Sequence, residues 1–133
     1  MQKEKEEYEA TGSLYCPFFK TDIALTSDGF NHLLYKPNRL PRNSKEQNMK
    51  LSLLTRALQT LRVAGTVQEY RNVLKTKQIQ YWAFHDVIFR NKETFLIRVV
   101  VRQIDNGKLH FWSVMPVSRS ENRRFYRNDI ENN

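Results

Sequence analysis

LIRVVVRQIDNGKLHFWSVM, residues 96–115, decides the fold. Asn106-Gly107 separates two runs rich in β-branched and aromatic residues, and a two-residue type I′ hairpin requires positive φ at both central positions, which Asn and Gly tolerate. From that turn Asp105 faces Lys108, and the register runs outward as Ile104 with Leu109, Arg102 with Phe111, Val101 with Trp112, Val100 with Ser113 and Arg98 with Met115. Side chains alternate between faces. Ile97, Val99, Val101, Trp112 and Val114 then make a core face, while Arg98, Val100, Arg102, Phe111 and Ser113 make a half-polar one.

YWAFHDVIF, residues 81–89, extends the meander by one strand. With Asn91-Lys92 as a two-residue loop, His85 lies opposite Arg98 and Tyr81 opposite Arg102, and Trp82, Phe84 and Ile88 join the apolar face. The alternation thus collects Tyr81, His85, Arg98, Arg102 and Ser113 on one side, and a polar row of this kind points to a site. A structural reading stands beside it: Arg98 and Arg102 pair with Glu69 or Asp86, or lay their stems over apolar neighbours.

Upstream, residues 1–13 are charged with little to bury and read as a segment apart from a single domain at 14–133. A short strand at 22–25 leads to a helix capped by Thr26 or Ser27, with Phe30, Leu33 and Leu34 as its apolar stripe and His32 and Lys36 on a solvated side. Pro37 and Pro41 end it, and the connector that follows is basic through Lys36, Arg39 and Arg42. Ser44 with Gln47 matches a capping box for a helix that lines up Leu51, Leu54, Leu58 and Leu61 until Gly65. Residues 66–74 fit a short helix or a strand, and in the tail Phe125, Tyr126 and Ile130 are placed to dock. Helices first and strands after predict an α+β fold, with N-terminal helices packed on a roughly four-stranded antiparallel meander.

With 133 residues, 40% of them hydrophobic, the chain suffices for one core. No apolar run approaches a membrane span and MQKEKEEYEA is too charged for a signal peptide, so a cytoplasmic protein with no membrane partner is expected. Cys16 is the single cysteine, which excludes an internal disulfide and a zinc cluster of cysteines. The net charge is +8; residues 1–13 hold two Lys and four Glu, net −2, so the other 120 residues carry +10. Such a field draws polyanions, RNA or DNA, or an acidic protein partner.

There is no phosphate-cradling glycine motif, and no His and carboxylate set at metal spacing, so neither a cofactor nor a metal is expected. Ribonucleolysis without metal asks for less: an acceptor for the 2′-hydroxyl proton, a donor to the leaving oxygen, and cations or hydroxyls around the phosphorane-like transition state. His85 or His32 fits the acceptor. Arg102 and Arg98 suit the phosphate oxygens, Tyr81 and Ser113 can orient them, and Lys36, Arg39, Arg42 and a stacking Phe111 suit the RNA strand. A noncatalytic nucleic-acid-binding module, or a basic protein-interaction domain, would use the same face.

With these residues laid out, the chain resembles the phage-encoded nuclease families grouped with barnase, EndoU, the colicin tRNases and RelE, the BECR group. The resemblance covers about residues 14–117 and rests on YCPFFKTDIALTSDGFNHLLYK, LSLLTRALQTL, VQEYR, YWAF, IRVVVRQI and HFWSV. It implies helices on a four-stranded antiparallel sheet whose exposed face cleaves RNA, tRNA among the candidates, without metal. The positions it carries over are His32, Arg102 and Ser113. It also implies a toxin-like phage or mobile-element nuclease domain, with an acidic immunity or antitoxin protein as partner.

Overall fold

A computed structural model describes residues 1–117 and 130. In chain order the elements are α1 (Gln2–Thr11), β1 (Ser13–Cys16), β2 (Thr21–Ala24), α2 (Ser27–Leu34), α3 (Ser44–Val63), β3 (Glu69–Leu74), β4 (Gln78–Arg90), β5 (Glu93–Ile104) and β6 (His110–Val117). The fold is α+β, as expected, and β3 settles the reading of residues 66–74 as a strand. The sheet is a correction to the four-stranded antiparallel meander. It has six strands in the order β1-β2-β6-β5-β4-β3, and it is mixed because β2 joins β6 in parallel at Ala24 and His110. Strands of four residues, SLYC and TDIA, give too little alternation to reveal a hairpin added to the edge.

The β4–β5 hairpin has the expected register. Asn91 and Lys92 take φ of 54° and 64°, and His85 pairs with Arg98 and Tyr81 with Arg102. The β5–β6 connection departs from expectation twice. Asp105, not Asn106 or Gly107, takes the positive φ, 50°. It is held there by Gln78, whose carbonyl accepts its N–H at 2.7 Å and whose N–H donates to Asp105 Oδ1 at 2.9 Å. The turn then closes from Gly107 N–H to the Ile104 carbonyl at 2.9 Å.

The register also slips: Val100 faces Ser113 but Val101 faces Phe111, which leaves Trp112 as the extra residue of a β-bulge. One extra residue reverses the faces beyond it. Phe111 therefore enters the main core, and Trp112 moves to the polar face, the opposite of the sequence expectation for both.

The main core lies between α3 and the apolar face of the sheet, where Leu51, Leu54, Leu58 and Leu61 meet Phe84, Ile97, Val99 and Val101. Asn43, one residue before the expected cap, accepts the Glu46 N–H at 2.8 Å. Thr26 caps α2 through the Gly29 N–H at 3.2 Å. Gly29 is what lets α2 lie directly on β6: a Cβ there would run into the Phe111 carbonyl oxygen. Residues 1–13 are not apart from the domain, because α1 sends Tyr8 into the core. That side chain is 2% exposed, and its hydroxyl donates to the Thr26 carbonyl at 2.7 Å.

Across the sheet Tyr81, Ala83, Val100 and Ile130 form a second buried cluster, so the polar face is covered at its middle. Phe125 and Tyr126 lie outside the described residues. Among the described residues no helix is long and apolar enough to cross a membrane.

Candidate nucleic-acid interface

The bulge at Trp112 builds a groove. It opens between α2, the connector after it and the ends of β5 and β6, with a volume of about 620 Å³, and is lined by Asp28, His32, Lys36, Arg39, Arg102 and Trp112 among others. Trp112 is its floor: the Arg102 guanidinium carbon lies 3.4 Å from the ring centroid, and the His32 ring stacks on it at 4.0 Å and 15°. Arg102 is aimed by its neighbours. Its Nε donates to His110 Nε2 at 2.9 Å, and it bonds the Tyr81 hydroxyl directly opposite.

Because a guanidinium only donates, His110 Nε2 is an acceptor, and Nδ1, 3.2 Å from the Lys108 carbonyl, carries the hydrogen. Burial first and the Arg102 charge next hold His110 below the usual histidine pKa, which keeps that acceptor open. Burial also lowers Arg102, while Tyr81 and Asp28 act against the shift; an arginine keeps its charge in any case.

His32 is not on a solvated face. It is 4% exposed, because its helix rests on β6 and the bulge supplies an aromatic surface beneath it. Arg42 does not reach the groove as an RNA ligand would. At 7% exposed it clamps α2 to α3, donating from Nε to the His32 carbonyl at 3.0 Å and from Nη1 to Glu46 Oε1 at 2.6 Å. Its Nη2 lies 3.4 Å from His32 Nε2. Lys36 and Arg39 are exposed on the groove's rim, Arg39 at a φ of 68°. Phe111 is fully buried, so the aromatic surface expected of it is presented by Trp112 instead.

The remaining polar residues assemble elsewhere. Glu69 Oε2 is 2.6 Å from His85 Nε2 and accepts from Arg98 Nε at 2.9 Å, with Arg98 wholly buried. Arg98 and Arg102 stand four positions apart along β5, about 13 Å at strand rise. His85 and Arg98 are thus brought together with each other, and not with the groove.

Ser113 is also fully buried; its Oγ accepts from Lys50 Nζ at 3.2 Å. Lys50 Nζ also donates to the Val114 carbonyl at 3.0 Å, on the stretch of β6 beyond its single parallel pair with β2. Burial, then the nearby Arg42 charge, pushes Lys50 down to about 7.

The sequence alone puts Trp112 on the core face and does not mark Asp28 or Lys50 as site residues. A bulge leaves no mark in an alternating pattern. Asp28 does stand one helical turn before His32, and Lys50 adjoins the leucine stripe. Among the described residues no group of three His, Cys, Asp or Glu is arranged to hold a metal ion. Comparison with protein-family models, with curated proteins and with solved structures finds no match.

Proposed function

We propose that the chain is a small metal-independent endoribonuclease that takes single-stranded RNA into the groove under α2. The observation that carries this reading is the convergence of His32, Arg102 and Trp112 in one groove with Lys36 and Arg39 on its rim. Lys36 and Arg39 attract the backbone, and Arg102 offers a fork to two phosphate oxygens. His32 takes the proton of the 2′-hydroxyl, whose oxygen attacks the adjacent phosphorus while Arg102 stabilises the charge that develops. The bond to the 5′-oxygen breaks, leaving a 2′,3′-cyclic phosphate and a 5′-hydroxyl that is protonated from water. The net charge of +8 and the resemblance to the BECR nucleases support the same reading.

One observation favours a second reading, a noncatalytic RNA-binding module. Acid–base cleavage commonly uses two titratable groups, and His85 is held by Glu69 at the far end of the sheet face. Incubation of the purified protein with RNA in the presence of EDTA separates the two. Discrete fragments ending in 2′,3′-cyclic phosphate support the nuclease; binding without fragments supports the module. Cleavage of a substrate carrying 2′-deoxyribose at the scissile position rejects the mechanism.

A further inference from the structure

Asp28 is an anomaly in a groove built for an anion. It shares the lining with Arg102, Lys36 and Arg39, yet among the described residues it forms no ion pair. Part of its placement is helical: in the first turn of α2 a carboxylate favours the helix dipole. That preference does not require the side chain to line the groove.

Asn31 follows three residues later on the same side of α2, and Tyr35 is the extended residue that ends the helix; all three line the same groove. Asp28 and Asn31 are exposed, and Tyr35 is 45% exposed. A carboxylate near the strand path repels phosphates, so its useful contact with RNA is to hydrogen-bond donors, and while a ribose 2′-hydroxyl offers one, two adjacent donors to match both carboxylate oxygens lie on a base edge.

We infer that Asp28 and Asn31 read the edge of one base, and that the base is guanine. This rests on the groove's being an RNA site, as proposed above. An ionised carboxylate only accepts. Guanine presents two adjacent donors, N1–H and the N2 amino group, which match its two oxygens, beside the O6 acceptor, which matches the Asn31 amide. Adenine and cytosine each present a single amino donor on that edge, and uracil a single ring N–H. Tyr35 supplies a ring for the base to stack on, while the cations hold the neighbouring phosphate.

The test uses the full chain and seven-nucleotide oligouridylates with 2′-O-methyl sugars, in which the central nucleotide is guanine, adenine, cytosine, uracil or hypoxanthine. Affinity is read by fluorescence anisotropy. Guanine is expected to bind about tenfold more tightly than uracil, the scale of one bidentate base contact, with hypoxanthine, which lacks the amino group, in between. Asp28→Asn and Asn31→Ala should each abolish the guanine preference while leaving oligouridylate binding intact or, for Asp28→Asn, strengthened. Equal affinity for all five oligonucleotides overturns base reading and leaves the RNA site standing, as does a guanine preference that survives both substitutions. Failure of every oligonucleotide to bind overturns the RNA site and this inference with it.

Discussion

The guanidinium carbon of Arg102 lies 3.4 Å from the centroid of the Trp112 ring. Arg102 pairs with His110, and Trp112 is the residue that the bulge inserts between the Phe111 and Ser113 pairings. Without the extra residue Trp112 would face the core and Arg102 would face Phe111. The bulge therefore places an aromatic surface beneath a cation that His110 and Tyr81 already orient. Such stacking on a partly desolvated ring is worth about 0.5–2 kcal/mol, and it restricts an otherwise mobile side chain.

Arg102→Ala is expected to weaken RNA binding and to lower the slope of log affinity against log salt by about one. Arg102→Lys keeps the charge but loses the fork and the planar stack, so its slope should stay near that of the parent while affinity falls. Titrations at several salt concentrations check both. An unchanged slope in Arg102→Ala would reassign Arg102 to packing.

The Glu69 cluster predicts a stability effect. Arg98 is wholly buried, and its Nε donates to the oxygen that also meets His85. Removing one partner of a buried ion pair costs about 3–5 kcal/mol, because the other charge stays behind. Glu69→Leu should lie in that range by urea denaturation, and Glu69→Leu with Arg98→Met should cost less than the sum of the two single changes. Additive losses would mean that the pair is not coupled.

How far the sequence discloses this arrangement depends on which local signal governs each element. The leucine stripe of α3, the Thr26 cap and the Asn91-Lys92 turn are all short-range features, and they fix the main helix and the His85–Arg98 register. The β1–β2 hairpin depends on a parallel contact at Ala24 and His110, remote in sequence: the strand expected at 22–25 is there as β2, but β1 and the pairing show no local sign. At residues 105–113 a local signal misleads. Asn106-Gly107 is well suited to a type I′ turn, but the two hydrogen bonds between Asp105 and Gln78 start the turn one residue earlier, and the slip is absorbed at Trp112. The groove depends on that slip, so Arg102 and His32 were legible as candidates while the ring that joins them was not.

Lys50 predicts a pH dependence of stability. Its pKa drops from 10.5 to about 7 in the folded chain, with burial as the main cause. Between those values the unfolded chain binds a proton that the folded chain does not, so stability should rise with pH, by up to roughly 1.4 kcal/mol per unit. Below pH 7 both states are protonated and this contribution flattens at its lowest level. Above pH 10 Tyr8 acts oppositely, because burial raises its hydroxyl pKa and the unfolded chain loses that proton first. Urea midpoints at pH 7, 8 and 9 should therefore climb in the parent and stay level in Lys50→Met. A parent profile that is flat over this window would show Lys50 to be charged throughout it.

The two histidines differ in what surrounds them, and so in the chemistry each can do. His32 stacks on Trp112 in the groove, while His85 is bound to Glu69 about 13 Å of strand away. If His32 accepts the 2′-proton, His32→Phe, which keeps a ring against Trp112 but holds no proton, should lower the cleavage rate by about a hundredfold or more. RNA binding should change by less than about threefold, since the cations that hold the backbone remain. His85→Ala should leave the cleavage rate within about threefold of the parent and cost about 1 kcal/mol of stability through the lost hydrogen bond to Glu69. Single-turnover rates and affinities for both variants, measured at one salt concentration, decide the assignment. A hundredfold loss in His85→Ala with normal rates in His32→Phe would transfer the chemistry to the Glu69 cluster, and equal rates in parent and both variants would remove histidine from the mechanism.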